Sequence, residues 1–379
     1  MQKITFENYK AFKNKQKLEL KPITILLGKN SSGKSAIAKL PSMIEHSLKG
    51  EFLEPLQFVN DNVELGAEFR DLMHGRKTAG ANALTIGLFD INESLEISIV
   101  QTDQVKDKFS VFRWKHIVGE NEYLGDDNNE YKGFIRTDGR STESLSLKLN
   151  ADYIGPFRKL PERSYNRHVL SSNGKFGIHG ENAYPILIQK SQEGGDDFVG
   201  KLSDWYKEHF GGWKVRINGD KSPFYQVELG QEGTSTYVNI KDVGQGMSQA
   251  LPIVTRALLP TEEDTLIVLE QPELHLHPAA HGDLAELFVN SVLEDVNKKY
   301  LIETHSQNMV LRFRSLVASG ALSPESIKIY FVDFDEDTGI SELKPIDVDA
   351  KGNVSFWPDD IFSESFVEAK RLSKAQRGS

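Results

Sequence analysis

Gly28-Lys29-Asn30-Ser31-Ser32-Gly33-Lys34-Ser35 decides how this chain is read. The octapeptide fits G-x-x-x-x-G-K-[ST] in full. Before it, Ile23-Thr24-Ile25-Leu26-Leu27 is the short apolar, β-branched run of a buried parallel strand. In that setting glycines let successive backbone N–H groups turn inward around phosphates. Lys34 then reaches the β- and γ-phosphates, and the Ser35 hydroxyl ligates Mg²⁺. The helix that follows points its positive end at the anion. A Gly/Ser-rich surface turn would not need the strand before it. Pro41 is expected to kink that helix or end it early.

The bulk numbers leave room for this and close other routes. A chain of 379 residues can form one large domain or two ordinary ones, with ample core. No apolar run approaches the length of a membrane span, and the N-terminus lacks a signal-peptide hydrophobic region, so a cytoplasmic protein without a membrane partner is expected. The absence of cysteine excludes disulfides, thiol catalysis and Cys-ligated zinc. A net charge of −10 argues against a general nucleic-acid coat but leaves space for a local basic face. Arg158, Lys159, Arg163 and Arg167 are the candidates for such a face; a solvated segment with structural ion pairs is the equal alternative.

Along the chain, Ile4, Phe6, Leu18 and Leu20 alternate with polar residues around a turn near residues 13–15, which predicts strands over 1–27. Residues 84–150 read as antiparallel β structure with long loops. Tyr153 to about Gly212 is less regular, with helical spacing at Leu202, Trp205, Tyr206 and Phe210. The pattern then becomes α/β: a helix from about Ser248, a strand over Thr265–Leu269, a helix over 279–296, a strand near Lys299–Ile302 and a helix over 306–318. No heptad pattern lasts long enough for a coiled-coil arm.

Three further stretches carry chemistry. Leu266-Ile267-Val268-Leu269-Glu270 is a hydrophobic strand ending in an acid, the place from which a carboxylate completes a Mg²⁺ shell. Gln271-Pro272-Glu273-Leu274-His275-Leu276-His277-Pro278 follows directly, and Tyr300-Leu301-Ile302-Glu303-Thr304-His305-Ser306 puts a histidine at the end of another buried strand. Upstream, Asp242-Val243-Gly244-Gln245-Gly246-Met247-Ser248-Gln249 opens a helix with a glycine-rich turn.

In this order the elements resemble the ABC-type ATPase heads of the SMC, RecF and OLD group, over most of the chain. The segments "YIGPFRKLPERSY" and "YFVDFDEDTGISELKPIDVDAKGNVSFWPDDIF" are similar to a subgroup of stand-alone OLD-like AAA-family ATPases with a small uncharacterised C-terminal domain. The resemblance implies an α/β P-loop fold with an antiparallel β lobe and a short helical insertion. Its expected parts are an N-terminal ATPase lobe at 1–150, an insertion at 151–240, a C-terminal ATPase lobe at 241–320 and a small cap at 321–379.

The resemblance also implies roles. Gly28, Lys29, Asn30, Ser31, Ser32, Gly33, Lys34 and Ser35 hold the ATP phosphates, and Ser35 with Glu270, the Walker B acid, holds Mg²⁺. His305 senses the γ-phosphate. Gly244, Gly246 and Ser248 belong to a signature turn that caps ATP bound to a second subunit, so that two heads clamp two nucleotides as a homodimer or higher oligomer. Such an ATPase without its own nuclease implies a separately encoded effector, a nuclease or toxin, most plausibly in bacterial defence against phage. The rival is a RecF-like DNA-maintenance ATPase binding DNA directly; a third reading is an ATP-gated scaffold that never turns over. A phosphotransferase would leave the signature turn and His305 unexplained.

Two departures bear on activity. The usual signature serine falls on Gly244, with Ser248 one turn on as the substitute. Gln271 stands where these ATPases place the glutamate that polarises the attacking water; an amide can orient water but is a very poor proton acceptor, and slow turnover is expected. Glu273 is either a relocated base or a structural residue. His275, His277 and His281 invite zinc, but no carboxylate or cysteine completes a set; the resemblance places them on a loop facing the partner subunit. Asp333, Asp335 and Asp337 lack the glycine and glutamate of a calcium loop, and too few residues follow His305 for a Toprim nuclease. Gln57 is the candidate for a loop coupling nucleotide to the accessory lobe.

Overall fold

The computed structural model describes residues 1–358, 361–362, 370–374 and 376, apart from 81, 139–144, 167–173, 194–196 and 220–222. Its centre is a six-stranded sheet in the order Asn150–Ile154, Thr265–Glu270, Lys298–Glu303, Ile23–Gly28, Ile327–Asp335, Ile340–Ile346. Neighbours pair in parallel except at the last edge, where Ile340–Ile346 runs antiparallel to Ile327–Asp335. Both faces are covered, which is why these strands read as near-continuous apolar runs rather than alternating ones. Ile25, Leu27, Ile267, Leu269 and Ile302 face a core built with the helices Ala183–Glu193, Gln245–Leu258, Pro278–Glu294 and Gln307–Ala318. Leu26, Leu266, Val268, Leu301 and Val332 face the opposite core, shared with the helix Lys34–Lys49.

That second core joins the central sheet to an antiparallel one, ordered Gln16–Glu19, Lys3–Glu7, Leu84–Phe89, Glu93–Asp103, Lys108–Val118, Asn121–Asp126. Its register sets Ile4 opposite both Leu18 and Leu88, and Ile86 opposite Ile97, so one face is apolar and buried. The insertion is compact. The helices Ala183–Glu193 and Phe198–His209 lie beside a small antiparallel sheet of Tyr165–Asn166, Trp213–Asn218, Phe224–Gln231 and Tyr237–Asn239. No helix among the described residues is long and apolar enough to cross a membrane.

Three expectations change. The early end expected at Pro41 does not occur: the helix continues to Lys49 with Pro41 buried inside it. Ile37, Leu40, Met43 and Ile44 around it are fully buried, and their packing outweighs a local cost of about 3 kcal/mol. The boundary expected between 150 and 151 passes through a strand of the central sheet, since Asn150–Ile154 pairs with Thr265–Leu269. The region expected as a cap from 321 supplies two strands to that same sheet and so belongs in part to the core.

Candidate functional site

The central sheet delivers the site through its strand ends. The strand Ile23–Gly28 stops at the loop, which turns through left-handed backbone at Ser31 and Gly33 before the helix begins at Lys34. Gly28 is required by space: a Cβ there would lie 2.6 Å from the Val332 carbonyl oxygen and 2.8 Å from Ser32 Oγ. No side chain caps the helix start, so its first N–H groups remain for an anion. Lys34 is buried, with Nζ donating to the carbonyls of Gly28 at 3.0 Å and Lys29 at 2.7 Å. Burial lowers its pKa, while Glu303 and Glu270 hold it up.

Those two carboxylates are register partners on neighbouring parallel strands, and both are buried. Ser35 Oγ donates to Glu303 Oε2 at 2.9 Å, and the Tyr153 hydroxyl donates to Glu270 Oε1 at 2.6 Å. Burial and then the like charge of Glu303 push Glu270 up to about 7. Burial also raises Glu303, opposed by Lys34 and Ser35. A hydroxyl and two buried carboxylates held together against their mutual repulsion form a hard-oxygen donor set, which fits Mg²⁺. Ser35 and Glu270 therefore come together as expected. Glu303 is a residue that sequence reasoning did not single out; its signal was a second apolar strand ending in an acid.

The loop after Glu270 is tied to the next strand. Gln271 has left-handed backbone (φ 46°), and its N–H donates to the Glu303 carbonyl at 2.8 Å. Glu273 is buried, with Oε1 accepting from Thr304 Oγ1 at 2.6 Å and from the His305 N–H at 2.8 Å. It therefore fixes the backbone that carries His305, while its Oε2 is buried without a hydrogen-bond partner among the described residues. His305 is exposed and lines a cavity of about 440 Å³ together with Gly28, Lys29, Asn30 and, from the C-terminal region, Ile361 and Phe362.

The segment 155–165 is a brace, which no sequence pattern announced. Arg158 is buried and donates to the carbonyls of Gln271 at 3.2 Å and Leu274 at 2.8 Å. Burial lowers its pKa to about 10, opposed by Glu273. Its own carbonyl accepts from Gln249 Nε2 at 3.3 Å. Arg163 grips Asp242 through two bonds of 2.8 and 2.7 Å, and Lys159 pairs with Glu162 at 2.8 Å. Arg158, Lys159 and Arg163 are thus paired within the chain, the alternative of structural ion pairs, with Lys159 and Arg163 still exposed; Arg167 lies outside the described residues.

The glycine-rich turn at 242–249 sits on the far end of this brace. Gly244 precedes the helix Gln245–Leu258, is exposed, and has nothing within 4 Å of where a Cβ would stand. Gly246 packs on the loop after Glu270: a Cβ would lie 3.0 Å from the His275 carbonyl oxygen. Tyr206 and Tyr184 hydroxyls hold the helix start through the carbonyls of Met247 (2.7 Å) and Ser248 (3.2 Å). Ser248 is the residue expected to supply the substitute hydroxyl. It is buried, and its hydroxyl bonds to the Gln245 carbonyl at 3.2 Å, because the helix starts three residues earlier than its sequence suggested.

The histidines do not converge. His277 caps the helix Pro278–Glu294 by accepting from the Ala279 N–H, while His281 bonds to Ser306 Oγ at 2.7 Å and to the Leu276 carbonyl at 3.2 Å. Among the described residues the cluster with metal-ligating spacing is Glu45, His46 and Asp61, and the Lys175 ammonium already bridges its two acids at 2.7 Å. Gln57 is exposed, its carbonyl accepting from Asn60. Asp335 stabilises the turn between the last two sheet strands through Asp337 and Thr338.

Residues 163–310 match the family model described as AAA ATPase domain, and residues 322–372 match one described as Protein of unknown function (DUF3696). No curated protein matches the sequence. Among solved structures, an SMC head bound to the C-terminal winged-helix domain of ScpA is similar with a TM-score of 0.55 at 12% identity, over 92% of this chain and 98% of that one. An SMC head domain from Thermotoga maritima (TM-score 0.44, 12% identity, 92% and 99% covered) also matches. So does an Smc head with an extended coiled coil, bound to the C-terminal domain of ScpA and derived from Pyrococcus furiosus (0.48, 13%, 99% and 99%). By fold the chain is similar to an SMC head, with the mixed α/β architecture of a P-loop ATPase head.

Proposed function

We propose that the protein binds ATP with Mg²⁺ and hydrolyses it slowly, and that ATP bound by one copy is capped by the turn at Gly244–Gly246 of another. The observation that carries this reading is the convergence of Lys34 and Ser35 on the Glu270–Glu303 pair beside an uncapped helix start. Lys34 is placed to leave the loop carbonyls for the β- and γ-phosphates. Ser35 and Glu270 would hold the cation, which supplies charge neutralisation at the phosphate oxygens. Gln271 orients water, and Glu273 keeps the His305 backbone beside the loop. ATP affinity then becomes dimerisation energy, because only the dimer completes the site.

The output of such a clamp is movement of two heads, which suits control of a separately encoded effector, a nuclease or toxin, in anti-phage defence. The AAA ATPase match and the ABC-type fold support the ATPase, and an SMC head solved with a ScpA domain bound supports the idea of a docked second protein. A RecF/SMC-like ATPase that binds DNA directly is the second reading, and the likeness to an SMC head supports it; Arg158, Lys159 and Arg163 would not be its contacts as they stand, since they are engaged within the chain. Sedimentation velocity with and without ATP tests the reading. Wild type should dimerise on ATP and Lys34→Ala should stay monomeric without detectable ATP binding. Equal ATP affinity and self-association in Lys34→Ala would refute it.

A further inference from the structure

The brace reaches the glycine-rich turn from both sides. Behind the turn, Gln249 Nε2 donates to the Arg158 carbonyl at 3.3 Å. Ahead of it, Asn239 Nδ2 donates to the Arg163 carbonyl at 2.8 Å, and the Arg163 guanidinium meets both oxygens of Asp242 at 2.8 and 2.7 Å. Arg163 is held at its root as well. The Glu162 N–H donates to the Tyr165 hydroxyl at 3.0 Å, and the Tyr165 ring stacks at 5.3 Å on Tyr184, whose hydroxyl holds the Ser248 carbonyl. Just past Asp242 the turn opens at Gly244, exposed and with open space where a Cβ would stand, while Gly246 is backed by the His275 carbonyl. The side chains of Arg163 and Asp242 are 60% and 48% exposed, and an exposed pair adds little to fold stability. What a planar, bidentate fork fixes is direction, here that of the residue leading into the turn.

Resting on the reading that ATP in one copy is capped by this turn of another, we propose that Arg163 is a positioning residue for the capping: through Asp242 it holds the turn in the orientation that meets the second copy's triphosphate. Arg163 touches no nucleotide itself. A turn freed from the fork has to be ordered when it caps, which weakens the dimer and leaves the ATP affinity of a single copy unchanged. The effect acts in trans. It falls on the ATP held by the opposite copy and spares the phosphate loop of its own.

The test is Arg163→Asp in the full-length chain, with the exchange Arg163→Asp/Asp242→Arg beside it. In fluorescence-detected sedimentation with Mg²⁺ and ATP, the concentration for half-dimerisation should rise at least about tenfold in Arg163→Asp, on the order of threefold for each of the two turns. The exchange should bring it back to within about threefold of wild type. Binding of radiolabelled ATP below that concentration should stay within about twofold of wild type. Placement then separates capping from general damage. Arg163→Asp mixed with Lys34→Ala should pair as tightly as wild type mixed with Lys34→Ala, since the altered turn faces an empty loop. Moved onto the Lys34→Ala copy and mixed with wild type, the same substitution faces ATP and should weaken pairing at least about threefold. Equal weakening in both placements, no weakening in either, an exchange that restores nothing, or loss of ATP binding in Arg163→Asp would each overturn the assignment with the ATPase reading intact. A wild type that does not dimerise on ATP would instead bring down the reading beneath.

Discussion

The carboxylate pair should make the nucleotide-free protein weaker as pH rises, and Glu270→Gln should relieve this. Glu270 ordinarily titrates near 4.5 and is pushed to about 7 here, first by burial and then by the charge of Glu303. The native state therefore holds a proton that the unfolded chain releases between these values, so stability falls as pH climbs from 4.5 through 7. At about 1.4 kcal/mol per tenfold change in proton affinity, the loss at pH 8 is roughly 3 kcal/mol. Glutamine still accepts from the Tyr153 hydroxyl and carries no charge. The variant should exceed wild type by about 1 kcal/mol at pH 5 and about 3 kcal/mol at pH 8. Urea unfolding followed by tryptophan fluorescence, with a chelator present and no nucleotide, reads this directly. A gap that does not widen with pH, or a less stable Glu270→Gln at pH 8, would refute the reasoning.

Other outcomes follow from particular contacts. Arg158→Ala strips donors from the buried carbonyls of Gln271 and Leu274 and should cost about 2–4 kcal/mol in urea unfolding; Arg158→Lys should recover only part of it, since a single ammonium cannot span both. Gly28→Ala drives a methyl against the Val332 carbonyl oxygen, and it should lower ATP affinity at least tenfold in equilibrium binding. Asp152→Ala leaves Arg256 without the carboxylate that its Nε meets at 2.5 Å, deep in the core. Unfolding midpoints should report a loss of about 3–5 kcal/mol.

Much of the site was legible because local signals carry it. The loop at 28–35, the acid ending Thr265–Glu270 and the histidine after Glu303 each follow an apolar run that can only be a buried strand. What escaped depends on which strands lie side by side. Glu303 resembles any acid after a hydrophobic stretch until the sheet order sets it against Glu270. The same gap hid the place of Asn150–Ile154, whose pairing partner lies more than a hundred residues away. Ser248 was expected to stand in for the missing signature hydroxyl, and the sequence did not reveal that the helix already begins at Gln245 and turns that hydroxyl onto the Gln245 carbonyl. Arg158 and Arg163 look like free cations in sequence, because nothing local reveals that their partners come from 242 and from 271–274.

The strand carrying the phosphate loop is made near the start of the chain, yet both of its sheet neighbours come from Lys298–Glu303 and Ile327–Asp335. On a ribosome adding about 5–20 residues per second, roughly 300 residues separate those events, a delay on the order of 15–60 s. Throughout that interval Ile23–Leu27 is an apolar segment with open edges on both sides, the condition that invites wrong pairing. A nascent chain can therefore not complete the surroundings of the phosphate loop until residue 335 has been made, and termination before that point would release a sticky fragment. Chaperone demand and yield on expression should track how quickly residues 298–335 are made.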